Sequence, residues 1–235
     1  MYLDMTYIVL ILPAVIFSLW ASWNVKHTYR KYEKQLNSRG LTGGEAARRV
    51  LDANGLRAVP VECVSGTLTD HYDPQANVVR LSQDVYGSSS AAAVGVACHE
   101  VGHAIQTAEG YLPGKIRMAI IPATNIGAKL SIPLLLIGLF LSGLSPQLIV
   151  LAYAGVALYA LTAIFQIVTL PTEFDASRRA LRTIEGMGLL EGEELTGAKK
   201  VLSAAALTYV AALATTLLQL LRFFMIVVSV KDSRA

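Results

Sequence analysis

Charge is what this chain has least of. Only 16% of its 235 residues are Asp, Glu, Lys or Arg, against 54% hydrophobic, where an average soluble domain carries about 25% charged residues. The scarcity is uneven. No charged residue falls between Asp4 and Lys26, none between Lys129 and Glu173, and none between Lys200 and Arg222. Crossing a bilayer takes about 20 mostly apolar residues, so the first and third runs each suffice for one span and the second for two. This excludes an ordinary soluble domain. It predicts four transmembrane helices near 5–25, 119–144, 147–170 and 203–226, with a tight turn at 142–147 between the middle pair.

Other absences narrow the class. The first apolar run has no basic residues before it, carries Asp4 instead, and lacks a small-residue cleavage site. An uncleaved span is expected rather than a removable signal peptide, with Tyr2, Tyr7, Trp20 and Trp23 as aromatics near its two ends. The two cysteines, Cys63 and Cys98, are expected as free thiols in a reducing cytoplasm, Cys98 as a packed core residue. The net charge of +3 marks no nucleic-acid partner, because the basic residues sit beside the apolar runs. Lys26, Arg30, Lys31, Lys34 and Arg39 follow the first run; Arg178, Arg179, Arg182, Lys199 and Lys200 lie between the third and fourth; the 142–147 turn has none. Positive residues favour the cytoplasmic side, so both polar segments are expected there and both termini outside, against the weak opposition of Arg222 and Lys231. The chain then divides into a first span (1–25), a polar segment (26–118), a helical hairpin (119–170), a second polar segment (171–202) and a last span with its tail (203–235).

Residues 26–40 read as a basic juxtamembrane helix and linker. In "TGGEAARRVLDANG", Thr42 and Glu45 have capping-box spacing, and Asn54-Gly55 is a stop signal; Ala46, Val50 and Leu51 form the inward face. "VPVECVSG" and "NVVRLS" read as strands separated by the turn-rich "TDHYDPQAN". A helix starts near the serines at 88–90 and stops near Gly110. Pro171 suits the first turn of a helix or the end of a span, and Glu185, Glu191, Glu193 and Glu194 read as a solvated, glycine-punctuated loop.

That helix carries "VACHEVGHAIQ", Val96 to Gln106, with two of the four histidines. Residues four apart on a helix share a face, so His99 and His103 can turn one nitrogen each toward a single ion. Glu100 lies beside them, and Gly102 keeps the helix thin between them. H-E-x-x-H is the pattern of two zinc ligands and a general base. Two core histidines and a buried glutamate, each needing its own partner, are the plainer alternative. Catalytic zinc takes three protein ligands and leaves a fourth position open. Glu173, the first charged residue after Lys129, is the candidate third ligand; a helix-start carboxylate is the alternative. Asp175 is a candidate to hydrogen-bond a ligand histidine or a surface charge. His71 is a candidate for contacting substrate or an oxyanion, with a polar turn as the plainer reading. Arg178 and Arg179 are candidates for holding an oxyanion or topology markers.

Three stretches, "LTDHYDPQANVVRLSQDVY", "HEVGHAIQ" and "PTEFDASRRAL", resemble the YugP-like family of neutral zinc metallopeptidases of bacterial membranes. The similarity covers nearly the whole chain. More distantly the chain is similar to HtpX-type membrane peptidases and other gluzincins, which pair H-E-x-x-H with a later Glu-x-x-Ala-Asp. Here Glu173 and Ala176 match that pattern and Ser177 replaces its Asp, so Asp175 and Ser177 both become candidates to support a ligand histidine. The resemblance implies a mostly α membrane protein: four transmembrane helices plus a cytoplasmic gluzincin-like zinc peptidase part with a small β element. It implies one Zn2+ per chain held by His99, His103 and Glu173, with Glu100 as general base for peptide hydrolysis. The strand near Asn77–Ser82 is expected to pair with extended substrate by the gluzincin analogy. The alternatives are a membrane scaffold or partner-binding subunit with structural zinc, and a zinc hydrolase of non-peptide substrates. The expected surroundings are the bilayer of a bacterial cell membrane and a membrane-associated polypeptide substrate, with the site facing the cytoplasm. Glu173 follows Leu170 by three residues, about 5 Å along a helix, which places the expected ion close to the membrane surface.

Reporter fusions within 26–115 and within 171–202 should both report a cytoplasmic location. An external signal from either would invert this topology.

Overall fold

The computed structural model describes residues 5–233; Tyr2 and Asp4, named above, lie outside the described residues. A π-helical turn at Tyr7–Ile11 leads into α1 (Leu12–Tyr32). There follow α2 (Gly43–Ala53), β1 (Val61–Val64), β2 (His71–Asp73), β3 (Val78–Ser82), the short α3 (Gln83–Tyr86) and α4 (Ala91–Glu109). Three long helices complete the chain: α5 (Leu112–Leu141), α6 (Ile149–Gly186) and α7 (Gly192–Asp232). The helical stretches Tyr7–Tyr32, Leu112–Leu141, Pro146–Gly186 and Gly192–Asp232 are long and apolar enough to cross a membrane.

These helices outrun the expected spans. The basic residues expected in a separate juxtamembrane helix belong to α1 as far as Tyr32, and α7 begins at Gly192, so Glu193 and Glu194 lie in its first turn rather than in a loop. Glu194 there accepts a hydrogen bond from the Ser38 amide at 2.7 Å. Pro171, expected at a helix start or a span end, sits inside α6. Proline removes one helical hydrogen bond and costs about 3 kcal/mol. α6 nevertheless continues through it, and the following turns are locked by burial of Thr172, Glu173, Ala176 and Ala180.

The chain separates into two compact units. One takes the described residues of Met1–Trp20, Ile116–Leu170 and Tyr209–Ala235. Its packed centre is Leu135, Ala152, Val156 and Val227. Gly138 of α5 lies against the Ala152 backbone, and Gly155 of α6 lies against Ser131 and Leu135, so a side chain at either position would collide with the neighbouring helix. Small residues are what let helices approach closely in lipid, where burial of apolar surface supplies no net attraction. Ser18 and Thr215 add a 2.9 Å hydroxyl pair. Leu19, Phe140 and Leu144 are among its exposed apolar side chains.

The second unit takes Ala21–Lys115 and Pro171–Thr208. Here α2 starts at a full capping box, with Thr42 and Glu45 each accepting the other's backbone N–H, and it buries Ala46, Ala47, Val50 and Leu51. Ser90 caps α4 by accepting from the Ala93 amide at 3.1 Å. Gly110 ends α4 in the left-handed region at φ +69°. The sheet has the order β1-β3-β2, with β1 parallel and β2 antiparallel to β3. β3 is therefore the central strand, and its two edges are already paired. That corrects the expectation that Asn77–Ser82 is free to pair with substrate; the open edge on the antiparallel side belongs to β2. β2 itself lies inside the stretch read as turns. Its polar composition hides it, and it is held by side chains instead: Arg80 donates to Asp73 at 2.7 Å, and Asp70 accepts from the Ser82 amide at 2.8 Å.

Leu81 on β3 is fully buried. Leu81→Ala should lower stability by about 2–5 kcal/mol, read as a lower thermal unfolding midpoint of the purified protein.

Candidate metal centre

α4 is the most buried helix of its unit: from Ala91 to Ala104 only Val96, His99 and His103 are half-buried rather than buried or nearly so. A helix this apolar folds wherever its faces are covered. Gly102 decides what covers the face between the histidines. A Cβ there would lie 2.7 Å from the Ala176 carbonyl oxygen, so the backbone of α6 runs directly against α4 at that turn. Glu173 is one turn before Ala176, and Ser177 immediately follows it.

The contact gathers three side chains. Glu173 Oε2 lies 3.3 Å from His99 Nε2 and 3.4 Å from His103 Nε2. One donor atom from each of the three residues falls within 4.8 Å of the others. The Glu173 side chain is 3% exposed. Zinc holds nitrogen and carboxylate oxygen at about 2.0–2.2 Å in a tetrahedral shell, which puts neighbouring ligand atoms about 3.3 Å apart. The donor set, and the two spacings that Glu173 makes, therefore fit a zinc ion.

The outer nitrogen of each histidine has its own partner. His99 Nδ1 meets Ser177 Oγ at 3.1 Å. His103 Nδ1 donates to Gln106 Oε1 at 3.0 Å. The orientation of that amide follows from its other contacts: Gln106 Nε2 donates to the Thr172 carbonyl at 2.8 Å and to Asp175 at 2.9 Å, and both of those groups only accept. Its Oε1 is thus an acceptor, which leaves the proton of neutral His103 on Nδ1 and the Nε2 lone pair facing Glu173. Arg179 completes the chain with 2.6 Å bonds to Asp175 and Glu109. Without a cation, burial is the largest single effect on His103 and disfavours its imidazolium, but the hydrogen bond to Glu173, the charges of Glu100 and Glu173 and the hydrogen bond to Gln106 together outweigh it and raise its pKa.

Glu100, beside His99, is nearly buried at 9% exposure. Its Oε2 accepts the Tyr72 backbone N–H at 3.0 Å. Since Tyr72 pairs with Val79 across the antiparallel ladder, an N–H turned toward Glu100 is one turned away from β3, and the Tyr72 carbonyl shares that outward side. The open edge of β2 thus faces Glu100. Asp70, which anchors the entry to β2 by accepting from Ser82 Oγ as well as its amide, has its pKa raised, chiefly by burial.

The remaining expected residues divide. Asp175 does not touch a histidine directly; it reaches His103 through Gln106. Ser177 makes the direct contact, with His99. His71 is exposed on β2 with Nδ1 2.7 Å from the Thr69 carbonyl, outside the three-residue cluster. Arg178 is exposed and enters no ion pair among the described residues, whereas Arg179 enters two. Cys98 is fully buried, which pushes its thiol up to about 12. Gln106, Tyr72 and Asp70 were not singled out from the sequence. Gln106 had a legible signal: it lies three residues after His103, on the same face of α4. Tyr72 acts through its amide and leaves no residue-type signature.

The chain belongs to the family described as "Putative neutral zinc metallopeptidase", which it matches over residues 7–228. It is 49% identical over 228 residues to "Putative membrane protease YugP" of Bacillus subtilis (strain 168), covering 97% of this chain and 99% of that protein. No solved structure matches the chain.

Groups that orient metal-binding histidines typically change metal affinity about 10–100-fold when removed. Gln106→Leu and Ser177→Ala should each weaken zinc binding in that range, measured by competition with a chromogenic chelator. Asp175→Ala should have the smaller effect, because Gln106 keeps its bond to Thr172.

Proposed function

We propose that this membrane protein is a zinc endopeptidase that hydrolyses membrane-associated polypeptides. In this reading His99, His103 and Glu173 hold one zinc ion, and Glu100 is the general base. The observation that carries it is the convergence of two imidazole nitrogens and a buried carboxylate oxygen, 3.3 and 3.4 Å apart, with Glu100 on the adjoining position of the same helix.

Bound zinc supplies Lewis acidity, polarising a carbonyl and lowering the pKa of water to about 7. The chain's own groups do the rest. Ser177 and Gln106 hold the two imidazoles in orientation. Tyr72 N–H occupies Glu100 Oε2 and so fixes the plane of the carboxylate. Oε1 takes the proton from water and returns it to the leaving amine. The outward Tyr72 carbonyl on the β2 edge accepts a backbone N–H of an extended substrate, as strand addition requires, and this replaces the role first expected of β3. His71 and Arg178 lie outside this scheme.

The membrane-associated substrate class rests on α6. Leu170 and Glu173 belong to one uninterrupted helix and are separated by about 5 Å of rise. A carboxylate that close to the end of an apolar run favours polypeptides presented at the membrane surface. The basic residues flanking the apolar runs favour a site facing the cytoplasm of a bacterial cell.

Purified protein should contain about one zinc per chain, as a single tetrahedral site requires. Glu100→Gln should keep the metal and lose about 10²–10⁴-fold in turnover; Glu173→Gln should lose the metal itself. Normal zinc content in Glu173→Gln would remove it as a ligand. Equal cleavage of a soluble protein and its membrane-tethered form would sink the substrate class.

A further inference from the structure

An open, surface-facing cavity of about 430 Å³ lies between α1 and α7 within the second unit. From α1 it is lined by Asn24, His27, Thr28 and Lys31, and from α7 by Lys200 and Ser203. On α1 those residues are spaced i, i+3, i+4, i+7; Lys200, Ser203, Ala204 and Leu207 repeat the spacing on α7. Each set is one helical face, and the two faces look into the same space.

The lining is rich in donors and has no carboxylate. Lys31 and Lys200 enter no ion pair among the described residues, and their ammonium groups lie instead 5.3 and 5.9 Å from the centre of the Tyr32 ring. Two lysines lining one cavity whose wall has no carboxylate favour the entry of an anion. Two ammonium groups, an imidazole, two hydroxyls and an amide match the acceptor oxygens of a phosphate ester.

The other end of the cavity is apolar. Ala204 and Leu207 line it, and the exposed Trp23 stacks on His27 with ring centroids 4.9 Å apart. Trp23 lies eight residues before Lys31, about 12 Å along the helix. Lys200 is the last charge before the uncharged run that ends at Arg222, and Lys26 is the first after the run that begins at Asp4. The cavity therefore sits where two apolar helices become basic, which is headgroup depth for a spanning helix. We infer that it binds a phosphate-bearing anion, and that the source is the headgroup of an anionic phospholipid, with Lys31 and Lys200 on the phosphate and Leu207 and Trp23 toward the acyl chains. Its volume far exceeds one inorganic phosphate, and its apolar end suits a lipid.

The test is lipid retention by the full-length, detergent-purified protein, followed by native mass spectrometry during titration with phosphatidylglycerol. Each basic residue near an anionic lipid contributes about fivefold in affinity. Lys31→Gln/Lys200→Gln should thus weaken binding about thirtyfold, and Lys31→Arg/Lys200→Arg should restore it. Lys26→Gln/Lys34→Gln removes equal charge from neighbouring residues that do not line the cavity and should weaken binding far less. Thermal midpoints compared across the variants separate misfolding from loss of the site. Equal weakening in the two glutamine pairs, or equal retention of phosphatidylcholine, would overturn the site. Full displacement by inorganic phosphate would overturn the lipid as the source.

Discussion

The contact between α4 and α6 at Gly102 is the constraint on which the candidate centre depends. Two helices normally keep their axes about 8–10 Å apart because side chains stand between them. With no Cβ at Gly102, the Ala176 backbone comes against α4 itself. The residues on either side of Ala176 then have no choice of neighbour: Glu173 meets both imidazoles, and Ser177 meets His99. Any larger residue at Gly102 would push α6 outward, and the carboxylate would leave its 3.3 Å approach to His99.

Burial makes this geometry demanding. A buried polar group without a partner costs about 1–3 kcal/mol, so the groups around the cluster are linked to one another. His103, Gln106, Asp175, Arg179 and Glu109 form one continuous chain of hydrogen bonds. Its outer end is solvated, since the Glu109 side chain is 57% exposed. Such a chain transmits orientation: Arg179 holds Asp175, Asp175 holds the amide, and the amide selects the tautomer of His103. A gluzincin-like Asp in the position of Ser177 would carry its own charge to a histidine. Here the charge is one residue pair removed, and a neutral hydroxyl and a neutral amide make the direct contacts.

The small sheet serves the same centre from the other side. β3 is buried and paired on both edges, so its part is to position β2. β2 has only three residues, too few to hold itself, and side chains at both ends secure it, with Asp70 on Ser82 and Asp73 on Arg80. The result is one backbone N–H aimed at Glu100. A turn-rich stretch with no apolar alternation thus contributes to the site through main chain alone.

Much of this was legible in the residues. The uncharged runs between Asp4 and Lys26, Lys129 and Glu173, and Lys200 and Arg222 mark the four apolar helices, because a bilayer tolerates few charges. The four-residue interval between His99 and His103 puts them on one face through helical period alone. Thr42, Ser90 and Gly110 mark helix ends through local hydrogen bonding and backbone conformation. All of these are short-range properties, which a linear sequence carries in full. What required the tertiary structure is long-range. That β3 is central and β2 is the edge depends on pairing order, which period-two patterning does not encode. That α6 runs on through Pro171 depends on burial of the turns after it. That Gln106 and Ser177, rather than Asp175, touch the histidines depends on where α6 crosses α4, and that crossing is set by a side chain that is not there.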